Sequence, residues 1–456
     1  MTAPYVAQYE QFERDAGFAA PLWVRTARRC ALERFEALGF PTMKNEDWHF
    51  TSVAPIAEAG YPARFAPGGE VRVEDLAPFT FGHLEWPTIV FVNGRFAPAL
   101  SSLDELAPGG GVKVLELTRA WREENDLLLR HLTKLAQYEL NTFTALNTAF
   151  MYDGAVVHIA KEAVVRQPIH VLFVSDPAAA KGMSVPRTLI VAERNSSATV
   201  IESYVSIGSA SYFTNAVTEV VVENGATLNH YKIQRESPRA FHVGTIETRQ
   251  GRDSHYVSFS FATGGSLSRT NIYTTLDGEG CGSTLNGLYM LDGTQHADHQ
   301  TRIEHAQPNC FSREVYKGIL DDASHGVFNG KVYVQPIAQK TDGKQSNNNL
   351  LLSDRARVDT KPQLEIFADD VKCTHGATVG RIDENALFYM KSRGIDNLTA
   401  RKLLTYAFAA DVLETIELDA VREGLEAVTL ARYAGVRVEE FGAGSGQLAV
   451  RREISE

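Results

Sequence analysis

Cys373-Thr374-His375 is where the side chains of this sequence come closest to metal chemistry. Leu364 and Ile366 alternate with Glu365 and Phe367 ahead of it, which predicts a strand, and Asp369-Asp370 predicts the turn that closes that strand. On an extended backbone, residues two apart project from the same face. Cys373 and His375 would then stand side by side, a thiol and an imidazole that make half of a soft-metal site. An arbitrary Cys-x-His is more often a buried cysteine beside a hydrogen-bonded histidine. The surrounding motif has to decide between the two.

Other candidates are weaker. His296-Ala297-Asp298-His299, followed by His305 and Cys310, suggests a second metal site. On a strand, however, His296 and His299 face opposite sides, and polar ladders lining a β-structure are the default reading. Cys30 and Cys281 carry no signal and read as inert. Lys331 and Lys344 each follow a glycine, but His325 and Ala338 stand where a phosphate-binding loop needs its first glycine. Val332 and Gln345 replace its Ser/Thr, so the chain should not hydrolyse ATP by itself. No GxSxG or HExxH occurs. Stacked Asn ladders account for Asn347-Asn348-Asn349 without chemistry.

The elements that would position these residues fall into three stretches. Residues 1–150 read as a helical or mixed region. Leu22, Ala27, Ala31, Phe35 and Leu38 recur at helical spacing until Gly39 and Pro41, and a second helical patch spans about 116–150. Between them lies a Pro- and Gly-rich stretch from Gly60 to Gly111, with the run Thr88–Val92 before an Asn93-Gly94 turn.

Residues 151–380 change to short Val/Ile/Thr/Tyr-rich runs between Gly, Asn and Asp turns. Ala198-Thr199-Val200-Ile201, Ala226-Thr227-Leu228-Asn229, Ser254-His255-Tyr256-Val257 and Ser283-Thr284-Leu285-Asn286 recur at spacings of 28, 28 and 29. A period in that range predicts a β-solenoid, with an antiparallel sandwich in accidental register as the alternative. Residues 381–456 turn helical again. Asp383 is placed to cap a helix through Lys391, Asp396 or Asn397 starts the next, and Leu418–Tyr433 supplies a third. The apolar helical surface is expected to cap one end of the solenoid.

Bulk properties narrow the function. A net charge of −11 over 456 residues argues against nucleic-acid binding, which needs a basic footprint. Four scattered cysteines do not make a disulfide framework. No run approaches the ~18 apolar residues of a membrane span, and the N-terminus lacks a signal-peptide pattern. A reducing, cytoplasmic setting is expected.

Longer motifs carry a resemblance. Lys340 to Asp383, Glu304 to Leu320 and Gly326 to Ser353 closely resemble the C-terminal core of the SufB/SufD family of the SUF iron-sulfur cluster assembly system. Lys44 to Ile56 resembles it more weakly. SufB-like members carry a cysteine in the segment matching QSNNNLLL, whereas this chain has Ser346 and three asparagines there, as the SufD branch does.

The resemblance implies a right-handed parallel β-helix core, flanked by N-terminal and C-terminal helical domains. It implies a non-catalytic scaffold that pairs with a SufB-like subunit and binds a SufC-like ATPase, with homodimers open to the chain alone. It also implies a transient iron-sulfur cluster held at the partner interface by Cys373 and His375, with none tightly bound by the isolated chain. Clusters commonly take four ligands, mostly thiolates, so the remaining ones must come from the other chain. A neighbouring imidazolium or iron would lower the Cys373 thiol toward neutrality. His305 and Cys310 become second-tier candidates for a thiol path through the interior. ATPase docking falls on the helices after Glu384, through Tyr389, Arg393, Leu403, Phe408 and Val412. The competing class, a β-solenoid enzyme acting on acidic polysaccharide, needs converging carboxylates, and none cluster in the sequence.

Overall fold

Runs of β-branched and aromatic residues cut at short intervals by turn formers can neither wind into helices nor extend far as strands, so they stack. The computed structural model describes residues 2–15, 20–63, 70–83, 85–103, 106 and 110–434. Within them, strand Thr227–Arg235 pairs in parallel with Ser197–Ser206 on one side and His255–Ala262 on the other. The intervening strands do the same in a second sheet, where Phe241–Gln250 lies in parallel between Phe213–Val222 and Leu267–Leu276. Each chain circuit therefore adds one strand to each of two 10-stranded sheets. The result is a parallel β-solenoid of about 8 turns, not a sandwich.

The repeat is real, but its register differs from the sequence alignment. Ser197 faces Thr227, an offset of 30, and His255 faces Gly282, an offset of 27. Each departs by two from the sequence alignment. A slip of two leaves every side chain on its own face, so alternation alone cannot detect it.

The start of the solenoid is built from Thr88–Val92, Arg95–Phe96 and Val112–Glu116. Thr88–Val92 joins one sheet in parallel, and Asn93 and Gly94, at φ 52° and 79°, turn the chain into an antiparallel pair with Arg95–Phe96. Val112–Glu116 pairs antiparallel with Ala155–Ile159 at the edge of the other sheet. Parts of the Pro- and Gly-rich stretch lie outside the described residues.

Helix Leu22–Leu38 forms as expected, burying Val24, Ala31 and Phe35 and ending at Gly39 with φ 65°. The expected helical patch over 116–150 divides into Leu117–Glu123, Asn125–His131 and Thr142–Ala149. The break has a cause. The backbone N–H groups of Thr133, Leu135 and Ala136 donate to the buried Glu219 carboxylate at 2.7–3.0 Å instead of to helical carbonyls.

At the other end, Asp383 accepts from the Asn385 N–H and Asp396 from the Thr399 N–H, starting helices Glu384–Ser392 and Asn397–Leu413. Helix Asp419–Ala434 follows, and residues 435–456 of the expected C-terminal domain lie outside the described ones. These helices do not cap the solenoid. Val412, Leu413, Ile416, Val421 and Leu425 pack on the flank of one sheet, against Tyr231, Phe259, Phe261, Leu288 and Ile319. The amphipathic pattern shows that a face is buried, not what buries it.

Candidate functional site at the open end of the solenoid

Cys373 and His375 lie on strand Val371–Gly380, the last strand of its sheet, paired in parallel with Thr341–Leu351. Its preceding strand, Arg357–Ile366, is the last of the other sheet. Among the described residues, neither has a strand on its outer side. The alternation that buries Gly343, Gln345, Asn347 and Asn349 inside the previous turn points their register partners Cys373, His375, Ala377 and Val379 the same way. There, however, no further turn among the described residues covers them. Cys373 is half-buried against Val332, Val334, Ala338 and Ala368, whereas His375 is exposed. Ile366, Phe367 and Val379 leave an apolar rim around the same end, exposed by 37%, 57% and 50%.

The thiol here is not the activated one that a nearby cation would produce. Burial pushes Cys373 above the usual thiol range, with Asp342 adding to the effect and the Gly343 backbone opposing it. A lowered thiol requires positive charge that this surface does not itself bring to the sulfur.

Beneath the pair, Gly343 leaves room. A Cβ on it would sit 3.4 Å from Cys373 Sγ and 3.5 Å from Ser312 Oγ, so its absence keeps the space between them clear. Ser312 Oγ is hydrogen-bonded to His305 Nε2 at 2.9 Å. Burial pushes the His305 imidazole down to about 4, so it is neutral at physiological pH. His305 thus reaches toward the site through Ser312. Cys310 does not. It sits at the corner before Phe311–Leu320, beside Cys281.

Below His375, Gln345 Nε2 donates to Glu314 Oε2 at 2.7 Å, and burial raises that carboxyl to about 7. Asn347 and Asn349 point inward and bond to each other along the strand at 2.6 Å, while Asn348 accepts from Thr378 Oγ1 on the outside. The asparagines link within and across the last two turns rather than forming a stacked column of like residues.

His296 and His299 face opposite sides, as alternation requires. His299 is buried in the interior, stacked on Tyr289 at 4.9 Å. His296 bonds to Thr51 Oγ1 at 2.9 Å on the outer face. There Arg269 spans Asp298, at 2.5 Å, and the Asp47 carbonyl, and lies 3.7 Å over the Trp48 ring. The sequence reading missed this dock. The pairing of Lys44–Ile56 with the His296–His299 segment is a long-range contact without a local signal.

On the helices, Tyr389 and Leu403 are exposed, and exposed Arg393 donates to Tyr389 Oη at 2.9 Å. Phe388 and Leu398, not singled out in the sequence, are exposed as well. Phe408 is half-buried, with Lys317 Nζ 4.7 Å from its ring. Val412 is fully buried on the solenoid flank, so it holds the helix in place and cannot meet a partner.

Fold and site together define a parallel β-solenoid that presents two soft donors on an uncovered terminal turn. Among the described residues, no group of three or more His, Cys, Asp or Glu side chains could hold a metal ion. Comparison with known proteins places the chain: it belongs to the SufB/SufD family. Residues 173–408 match the family model for the SufBD core domain of SUF system FeS cluster assembly, and residues 1–171 match that for the SufBD protein N-terminal region.

The chain is 35% identical to the iron-sulfur cluster assembly protein SufD of Escherichia coli over 412 residues, covering 88% of this chain and 90% of that protein. It is 33% identical over 401 residues to an iron-sulfur cluster assembly SufBD family protein of Synechocystis, covering 86% and 87%. SufD of Bacillus subtilis is 27% identical over 419 residues, covering 90% and 93%. The chain accordingly has a role in iron-sulfur cluster assembly. No helix among the described residues is long and apolar enough to cross a membrane.

Proposed function

We propose that this chain is a non-catalytic scaffold subunit of a cytoplasmic, ATP-dependent cluster assembly complex. Its open end pairs with a SufB-like subunit. Cys373 and His375 contribute donors to a nascent iron-sulfur cluster, which is cargo rather than a resident cofactor. The observation that carries this reading is the terminal turn itself, with two soft donors on an inward face that no described residue covers with a further turn, rimmed by Ile366, Phe367 and Val379. Two donors cannot complete a cluster's ligand set, so the other ligands come from the partner.

The exposed Tyr389, Arg393 and Leu403, with Phe388 and Leu398 beside them, offer a surface for a SufC-like ATPase on the side of the helices turned away from the solenoid. A glycan-active solenoid would need free carboxylates converging on a groove. The acids along the outer face near the site are instead paired with basic side chains, Glu365 with Lys331 at 2.8 Å and Asp359 with His325 at 2.7 Å. Anaerobic co-purification with a SufB-like subunit and the ATPase, followed by iron and sulfide analysis, tests the proposal. A chain that associates with neither protein would overturn it.

A further inference from the structure

We infer that Cys281 and Cys310 form a dithiol site that closes reversibly to a disulfide, cross-linking two adjacent turns of the solenoid. Gly282 pairs in register with Phe311, so the two cysteines just before them are neighbours on adjacent turns at the same corner. Parallel strands lie ~4.8 Å apart, within the ~4.4–6.8 Å between Cα atoms that a disulfide spans. The Phe311 N–H donates to the Cys281 carbonyl at 3.0 Å, which fixes the two backbones at that spacing.

The side chains converge too. Both sulfurs approach the Gly278 carbonyl oxygen, Cys281 Sγ at 3.0 Å and Cys310 Sγ at 3.2 Å. Both are free thiols buried beneath the turn that carries Gly278 and Gly280. The equivalent corner of earlier turns holds Ser196, Ala226 and Ser254, so small size alone would explain either cysteine singly. It does not explain two thiols on one shared acceptor. Their ionisation is asymmetric: the Cys310 thiol, hydrogen-bonding toward Cys281, lowers that group, and Cys310 is raised in turn.

The Ser254 hydroxyl, placed to donate to Cys281 Sγ at 3.9 Å, favours Cys281 as the attacking thiolate. With hydrogen peroxide as the two-electron oxidant, the Cys281 thiolate attacks one peroxide oxygen and the O–O bond breaks. Cys281 becomes a sulfenic acid, and the departing hydroxide takes a proton to leave as water. Cys310 sulfur then attacks the sulfenic sulfur, forming the S–S bond, and its proton leaves with the displaced hydroxide as a second water. Two thiols and one peroxide give one disulfide and two waters, and a small-molecule dithiol reverses the step by exchange.

The experiment treats the reduced full-length chain with hydrogen peroxide, alkylates it in denaturant and maps its peptides by mass. The expected result is a Cys281–Cys310 linked peptide, with two fewer alkylatable thiols from this pair. The intact chain should lose about 2 Da through the pair, one disulfide's two hydrogens, and dithiothreitol should restore it. Alkylation of both cysteines under peroxide exposure that oxidises the exposed Cys30 would overturn the inference. So would independent over-oxidation of each without the linked peptide. In Cys310→Ala, Cys281 should instead be trapped by a sulfenic-acid reagent, and its failure to react would overturn the assigned roles. The wild-type map does not depend on that variant folding.

Discussion

The solenoid begins and ends differently. At its start, Arg95–Phe96 and Val112–Glu116 run antiparallel to their neighbours, and Phe96, Leu103 and Leu106 pack onto the interior core; a few strands in, Glu219 accepts from three backbone N–H groups and from Arg187 at 2.7 Å. At its finish, Arg357–Ile366 and Val371–Gly380 keep the parallel register to the last strand, and the helices that could have covered them lie on the flank. An uncovered strand edge is a template for pairing that proteins ordinarily block. In the proposed function, the bare end is the one that a partner takes up. The inward-facing positions that are buried inside the stack are left open to solvent or a second chain on its final turn, as His375 is.

The clamp near the start should be the costlier to damage. Arg187 and Glu219 are both fully buried. Glu219→Ala strands the arginine charge and frees the donors of Thr133, Leu135 and Ala136, for an expected loss of about 3–5 kcal/mol in chemical denaturation. A loss below about 1 kcal/mol, the cost of an ordinary surface hydrogen bond, would mean that this clamp does not hold the 133–136 segment in place.

Next comes the interior just behind the open end. Burial raises the Glu314 carboxyl from its ordinary 4.5 to about 7, so the folded state holds a proton that the unfolded state releases earlier. The favourable contribution is fully present below about pH 4.5. It is lost as pH rises toward and through 7, by about 3 kcal/mol in all. Glu314→Gln should flatten that part of the stability-against-pH curve. A wild-type curve already flat between pH 5 and 8 relative to the variant would contradict it.

Some of this was legible in the sequence, and the reasons for the rest are physical. Period-2 alternation places Cys373 and His375 on one face, and the caps at Asp383 and Asp396 announce their helices. The same alternation is blind to a two-residue slip, hence the missed offsets of 30 and 27. Burial of Val412 on the flank and the Trp48–Arg269 dock are long-range packing facts that no local pattern encodes. Cys281 reads as inert until the register sets Cys310 beside it.

At the bare end, substitutions should leave the fold alone and fall on partners. Val379→Lys puts a charge on the exposed rim and should change stability by no more than about 0.5 kcal/mol. It should weaken association with a SufB-like subunit by about tenfold or more, as one desolvated interface charge would. Undiminished association in a pull-down or by ultracentrifugation would remove this edge from the interface. Arg393→Glu on the exposed helix should be equally silent in stability while weakening ATPase binding, with circular dichroism as the check on folding. Full binding across a scan of Tyr389, Arg393 and Leu403 would move the ATPase elsewhere.

The central claim is that Cys373 and His375 serve the partner's cluster rather than this chain's fold. The direct measurement is iron and acid-labile sulfide per anaerobically purified complex, beside the melting temperature, for wild type, His375→Ala and Cys373→Ser. The account predicts intact complexes that melt as wild type does and carry severalfold less iron and sulfide. Wild-type loading in both variants, or loss of the complex itself, would contradict it.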